Sequence, residues 1–449
     1  MKRVISFAIA AALLLSLAGC GGSFERVLRL EGDAESRSFT ARRFGQRFGL
    51  DEITARAAEF DLLLIGSDGL VSRISGNDLS GCALVYSSEF DWEFRSELHP
   101  PPANIKNLAR IVVVSTSEDS RAIHFISGDD VQAITAGQLR LRDCQRVLQE
   151  EGTSHDNDRG VTVYTTQRRV PLADILPEGD SFCAMGFSGE AMFFRGLAGS
   201  YLMGDKNAVN LHLPDGRVLR DLAGVMADPP GFLITEAYHD ALRFLEQGQR
   251  VIVFNLDGFG WDMLRYAPYI SSLEPRRALA CYPPISPVGL AAMVTGATPD
   301  HNGIQSRGQR DPVRGDIFAA AVQRGKTSAH IGGGQSVINT SLKPELGLND
   351  ADAFMLAKQA LADQPDLLFI HFHGIDETAH AHGPHAGETR QVIAEIDGYV
   401  QSLLEGSGLM EGFGGRVIIV ADHGLRETED GGNHGLFLPE DMLVPYVLK

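Results

Sequence analysis

Apolar positions along this chain change their rhythm near its middle. Between residue 24 and about residue 232 the apolar runs are short and broken by Gly, Ser and Asp, as at 60–65, 109–115 and 161–164. Their β-branched and aromatic content suits strands, so this half reads as β-rich. Leu50-Asp51-Glu52-Ile53 followed by Gly66-Ser67-Asp68-Gly69 has an echo in Leu172-Ala173-Asp174-Ile175 followed by Gly186-Phe187-Ser188-Gly189. A common offset of about 120 residues fits two similar small modules, although chance similarity accounts for it nearly as well.

Pro229-Pro230-Gly231 interrupts the chain, and a different pattern follows. Residues 235–247 have helical periodicity, and 251–256 form a continuous apolar strand. Further strand-like runs lie at 328–331, 367–372 and 417–421, with helical stretches at about 287–294, 317–323, 353–362 and 388–404. Strands that do not alternate, separated by helices, predict a parallel sheet covered on both faces. In such α/β sheets ligands bind beyond the carboxyl ends of the strands.

The N-terminus reads as a processing signal. Lys2 and Arg3 precede an apolar stretch from 4 to 17, too short to span a bilayer. It ends in Leu17-Ala18-Gly19-Cys20, which resembles the lipobox of bacterial lipoproteins, in which the cysteine is lipidated after cleavage. The expected division is therefore a signal peptide (1–19), a β-rich region of unassigned role (20–232) and a catalytic region (233–449). An anchor on Cys20 implies a cell-envelope protein, placed at the outer membrane facing the periplasm if the source is Gram-negative. Cys82, Cys144, Cys183 and Cys281 remain, with three full pairings open and no CxxC spacing for a cysteine zinc site. The formal charge of −18 repels a nucleic-acid backbone, so nucleic acid is not an expected partner.

Four segments carry chemistry. Asp257-Gly258 follows the first strand of the second half; alone it is merely a turn dipeptide. Ser286-Pro287 fits a helix N-cap with proline at the first helical position. A hydroxyl there sits in a positive dipole, and a nearby cation makes it a nucleophile. Asp376 and His380 lie four apart after the strand 367–372, in a stretch that also holds His371, His373 and His382. Those three surplus histidines read as packing or outer contacts in preference to ligands. Asp422-His423 follows the strand 417–421, and His434 lies on the glycine-rich Gly432-Asn433-His434-Gly435.

Taken in this order, each piece after a strand, the set resembles the alkaline phosphatase superfamily, most closely its type I phosphodiesterase/nucleotide pyrophosphatase branch. Val294-Thr295-Gly296 and Pro299-Asp300-His301-Asn302-Gly303-Ile304 fit the same resemblance. It implies an alkaline-phosphatase-like parallel-sheet sandwich carrying two divalent metal ions. Asp257, Asp422 and His423, with Ser286 reaching in, would hold the first ion; Asp376, His380 and His434 would hold the second. Asp/His ligands without cysteine suit zinc, and manganese where carboxylates dominate. The implied reaction is hydrolysis of a small phosphate ester through a phosphoseryl intermediate. The branch often has threonine where Ser286 stands, and tends to have asparagine where Gly289 stands, which leaves diester against monoester open. A phosphomonoesterase or phosphonate hydrolase, a phospho-headgroup transferase and a non-catalytic binding lipoprotein are the alternatives. A sulfatase is set aside, because 281–285 lacks the required arginine.

Overall fold

The computed structural model describes residues 25–35, 38–50, 53–156, 159–176, 179–406 and 415–449. The signal segment, Cys20 and part of the first repeat (Asp51, Glu52) lie outside the described residues. Among the described residues no helix is long and apolar enough to cross a membrane. The chain forms two compact units, Met1–Ala122 with Ile134–Asp143 and Gly204–Ala208, and Ile123–Ala133 with Cys144–Met203 and Val209–Lys449. Residues 144–203 and 209–232 thus group with the C-terminal half.

The first half is strand-rich, as its apolar pattern predicts. In the first unit a five-stranded sheet has the order Ser38–Ala41, Arg26–Gly32, Leu108–Ser115, Phe60–Gly66, Val71–Ser75. Arg26–Gly32 runs parallel to Leu108–Ser115, and the other described pairings are antiparallel. A sheet in the second unit has the order Asp130–Ile134, Ile123–Ser127, Leu222–Ala227, Ser181–Gly186, Ala191–Arg195. Its parallel pair, Ile123–Ser127 with Leu222–Ala227, falls at the same place in the order. Each sheet also slips register at the glycine of the echoed motif, Gly66 and Gly186.

The second unit contains the α/β sheet foreseen from the strand–helix alternation. Its strands are β1 (Val251–Leu256), β2 (Arg276–Leu279), β3 (Ser328–Gly333), β4 (Glu345–Gly347), β5 (Leu367–Phe372), β6 (Arg416–Val420) and β7 (Leu443–Leu448). The spatial order is β2-β7-β6-β1-β5-β3-β4. Only β7 opposes its neighbours; the remaining pairings are parallel. The helices include α1 (Glu236–Glu246), α2 (Ser286–Thr295), α3 (Ile317–Gln323), α4 (Asp350–Ala362), α5 (Gly374–His382) and α6 (Gly387–Gly406). β1 and β5 are buried along their whole length, and β6 is buried beyond Arg416, because helices cover both their faces. β2, β4 and β7 escape a reading of the sequence. Two are only three or four residues long, and Pro445 interrupts the pattern of β7.

One core joins the second small sheet to the α/β sheet. Cys183, Met185 and Met226 lie in the same buried cluster as Phe254, Ile285 and Phe437. The approach is so close that a Cβ on Gly224 would fall 2.1 Å from Phe437 Cδ1. Phe187 meets Tyr282 edge-to-face at 5.6 Å. The second small sheet therefore braces residues 281–285, the segment that delivers Ser286.

Candidate active site

Three neighbouring parallel strands, β6, β1 and β5, end side by side. Asp257 follows the end of β1, Asp376 sits in the first turn of α5 after β5, and Asp422 and His423 follow β6. His434 arrives on the loop after a short hairpin, Arg426–Thr428 with Gly431–Asn433. Asp257, Asp422, His423, His434 and Ser286 are all buried.

Ser286 is the first residue of α2, and Ile285 occupies the cap position. The predicted serine cap is thus displaced by one residue, and the hydroxyl makes no capping bond. Instead Ser286 Oγ donates to Asp257 Oδ1 at 3.3 Å and lies 3.2 Å from His423 Nε2. A hydroxyl drawn away from the open backbone N–H groups of its own helix is held for another purpose.

The histidines fall into two kinds. His380 Nδ1 faces the Gly432 carbonyl at 2.9 Å, His434 Nδ1 the Pro284 carbonyl at 2.8 Å, and His423 Nδ1 the Gly424 carbonyl at 3.0 Å. A carbonyl only accepts, so each Nδ1 carries hydrogen, and Nε2 is left to bind a proton or a metal ion. This tethering is how proteins orient metal-binding imidazoles. The Nε2 atoms of His380 and His434 lie 3.1 Å apart, and the rings of His423 and His434 stack at 3.9 Å. His371 Nε2 and His373 Nδ1 instead both donate to Asp257 Oδ2 at 3.1 Å. His382 is exposed.

The carboxylates are electrostatically uncomfortable. Burial pushes Asp422 well above the usual range, and the nearby Asp257 charge adds to it. Burial and Asp257 raise Asp376 to about 6. Burial alone would raise Asp257 as well, but hydrogen bonds from His371, His373 and His423 hold it well below the ordinary value. His423 is raised to about 10, burial being outweighed by Asp422, Asp257 and Asp376. His434 is pushed down to about 2, first by burial and then by His423. Asp376 Oδ1 and Asp422 Oδ2 are buried and accept no hydrogen bond. Asp376 Oδ1 lies 3.5 Å from His380 Nε2 and 3.6 Å from His434 Nε2, neither of which need carry hydrogen.

Buried carboxylate oxygens without donors, facing imidazole nitrogens tethered from behind, suit divalent cations. Among the described residues three groups have ligand atoms close enough to share an ion: Asp257, Asp422 and His423; Asp376, His423 and His434; and Asp257, His371 and His373. Of the residues expected from the sequence, Asp257, Asp376, Asp422, His423 and His434 fall in these groups. His380 and Ser286 lie beside them, through His434 Nε2 and His423 Nε2. His371 and His373, expected as outer contacts, fall in the third group. One participant escaped that reading. Arg307 donates from Nη2 to His434 Nε2 at 3.2 Å. Gly289 packs on Asp422, whose carbonyl oxygen would lie 2.5 Å from a Cβ there, so no side chain fits where an asparagine was expected. A remote loop leaves no local signal in sequence.

Residues 251–356 and 336–444 match the family described as type I phosphodiesterase/nucleotide pyrophosphatase. An uncharacterized pyrophosphatase/phosphodiesterase of Schizosaccharomyces pombe is 26% identical over 220 residues, 40% of this chain and 45% of that protein. The chain thus spans less than half the length of that curated relative. Among solved structures, murine ectonucleotide pyrophosphatase/phosphodiesterase 5 is 18% identical, with a TM-score of 0.34 over 40% of this chain and 58% of that one. The human protein of the same name is 15% identical, with a TM-score of 0.37 over 44% and 87%. An inactive murine form in complex with AMP is 20% identical, with a TM-score of 0.32 over 40% and 58%.

Proposed function

We propose, from a chain whose residues 251–444 belong to the type I phosphodiesterase/nucleotide pyrophosphatase family of the alkaline phosphatase superfamily, that this protein hydrolyses phosphate esters with Ser286 as nucleophile. The observation that carries the proposal is the hydroxyl of Ser286, turned from its helix end to Asp257 and His423 beside two buried carboxylate oxygens that lack donors.

In this reading Asp257, Asp422 and His423 hold one divalent ion and Asp376, His380 and His434 a second, with zinc the best fit to the donor set. Such ions supply positive charge that lowers the hydroxyl pKa and balances the phosphoryl oxygens. Ser286 Oγ attacks phosphorus and the bond to the leaving oxygen breaks, giving a phosphoseryl enzyme and an alcohol. The hydroxyl proton is released to solvent, because Asp257 and His423 would be engaged as ligands. Water then attacks the same phosphorus, and Ser286 leaves and regains a proton. His371 and His373 hold Asp257 from its far oxygen, which keeps Oδ1 turned to Ser286. Small phosphodiesters and pyrophosphates, nucleotides among them, are the proposed substrates. A lipid on Cys20 would hold the enzyme to the envelope, at the outer membrane facing the periplasm; Cys20→Ser should then free it from the membrane fraction.

The test is hydrolysis of an aryl phosphodiester by the zinc-loaded protein and its Ser286→Ala variant. Turnover should fall in the variant by about 10⁴-fold or more, as for loss of a covalent nucleophile. Chelator should abolish it. Equal rates in wild type and variant would exclude Ser286.

A further inference from the structure

Arg307 stands at the site on a turn built to hold it. Asn302 anchors the loop base: its Nδ2 donates to the Ala297 carbonyl at 2.9 Å, and its Oδ1 accepts from Ile304 N at 2.8 Å. The loop returns where Val313 N donates to the Asn302 carbonyl at 2.8 Å. Ile304 is fully buried beneath it. At the tip, Gln309 N closes a turn onto the Ser306 carbonyl at 3.2 Å, and Gln309 Oε1 accepts from Gln305 N at 2.6 Å. Arg307 is the second residue of that turn.

Its guanidinium is exposed and forms no ion pair with a carboxylate among the described residues. It donates to His434 Nε2, and the His434 ring stacks on His423, which touches Ser286 Oγ. Two stacked imidazoles therefore separate a guanidinium from the nucleophile. Gly289, on the turn of α2 that follows Ser286, contributes no side chain, because Asp422 leaves no room for one. The phosphoryl oxygens thus lack a side-chain donor from α2.

We propose that Arg307 supplies that donor, binding the non-bridging oxygens of the phosphoryl group through its planar fork, and that it widens the substrate range to phosphomonoesters. This rests on the reading of Ser286 as the nucleophile. A guanidinium makes two parallel hydrogen bonds to a pair of phosphate oxygens and holds its charge at any working pH. A monoester offers three unesterified oxygens sharing two charges, whereas a diester offers two sharing one. The fork accordingly stabilises the monoester more strongly.

The experiment compares zinc-loaded wild type, Arg307→Ala and Arg307→Lys on matched aryl mono- and diesters, with inorganic phosphate binding measured calorimetrically on Ser286→Ala with and without Arg307→Ala. Arg307→Ala should lower monoester kcat/KM by about 10²-fold, the scale of one lost transition-state donor, and diester kcat/KM by about tenfold less. Lysine should restore part of the loss, and phosphate affinity should fall at least about tenfold. Zinc content should be unchanged. Rates and phosphate affinity within twofold of the parent would overturn the proposal. So would a loss explained by lower zinc content, which would mean that Arg307 acts only through His434. Absence of turnover in the wild type would count against the hydrolase reading instead, and the phosphate titration would still decide on Arg307.

Discussion

Each of the two units buries a carboxylate network, and the two are finished differently. In the first unit, Asp33 accepts from Ser115 N at 2.7 Å, Thr135 Oγ1 at 2.6 Å, Gly137 N at 2.9 Å and Arg56 Nη2 at 3.0 Å. Its neighbour Asp119 takes Arg56 Nε at 3.0 Å, Ser115 Oγ at 2.9 Å and Arg121 N at 2.9 Å. The chain itself answers every oxygen there. In the second unit, Asp422 Oδ2 and Asp376 Oδ1 are as enclosed and receive nothing. A buried carboxylate with a full set of donors ties segments together. One left incomplete costs stability, and it persists where something other than the chain completes it.

Substituting one aspartate from each network separates these roles. Asp422→Asn should cut turnover roughly 10³-fold or more, since a metal ligand stands for several kcal/mol of transition-state stabilisation. In metal-free protein the same change should leave the melting temperature level or raise it, because an uncompensated buried charge is gone. Asp33→Ala should instead destabilise by about 3–5 kcal/mol, as Arg56 and three other donors lose their acceptor. Thermal unfolding with and without zinc reads both. A lower melting temperature for metal-free Asp422→Asn would erase the contrast.

A smaller effect should come from a buried polar group that the chain does satisfy. His330 is stacked on Phe318 at 4.6 Å, and its Nδ1 meets the Leu342 carbonyl at 3.2 Å. Burial pushes it down from 6.5 to about 4. With the folded value below the unfolded one, the native state refuses a proton that the unfolded chain accepts. Its contribution is therefore intact above about pH 6.5 and is lost as pH falls towards 4, by about 3 kcal/mol in all. His330→Gln, which cannot titrate, should flatten urea-unfolding free energies across that window by this amount. An unchanged pH slope would show that His330 is already neutral in the unfolded chain, or that its pKa does not differ between the states.

Much of the second unit was legible in the sequence, for reasons particular to it. β1 and β5 have the bounds that the apolar runs 251–256 and 367–372 predict, and α3 those predicted for 317–323. Burial on both faces keeps a strand mainly apolar, Asn255 and His371 aside, so its limits stand out. The candidate ligands Asp257, Asp422 and His423 could be named as well, because they follow strand ends where side chains face the open edge of the sheet. The first half was legible only as strand-rich. Which hairpin pairs with which, and that two sheets share one strand order, depend on contacts across 70 residues or more, as between Arg26–Gly32 and Leu108–Ser115.

The sequence by itself determined the long buried strands β1, β5 and β6 and supplied the residue types of the proposed ligand set and nucleophile, because those depend on residue type and local periodicity. Tertiary structure alone decided the rest. The order β6-β1-β5 brings Asp422, Asp257 and Asp376 together from positions up to 165 residues apart. The carbonyls of Gly432, Pro284 and Gly424 choose which imidazole nitrogen faces inward. Close packing on Asp422 keeps residue 289 a glycine, and a turn some twenty residues beyond Ser286 carries Arg307 to the site. Hydrogen-bond direction and excluded volume act between neighbours in space, and the order of residues along a chain does not contain them until the sheet has closed.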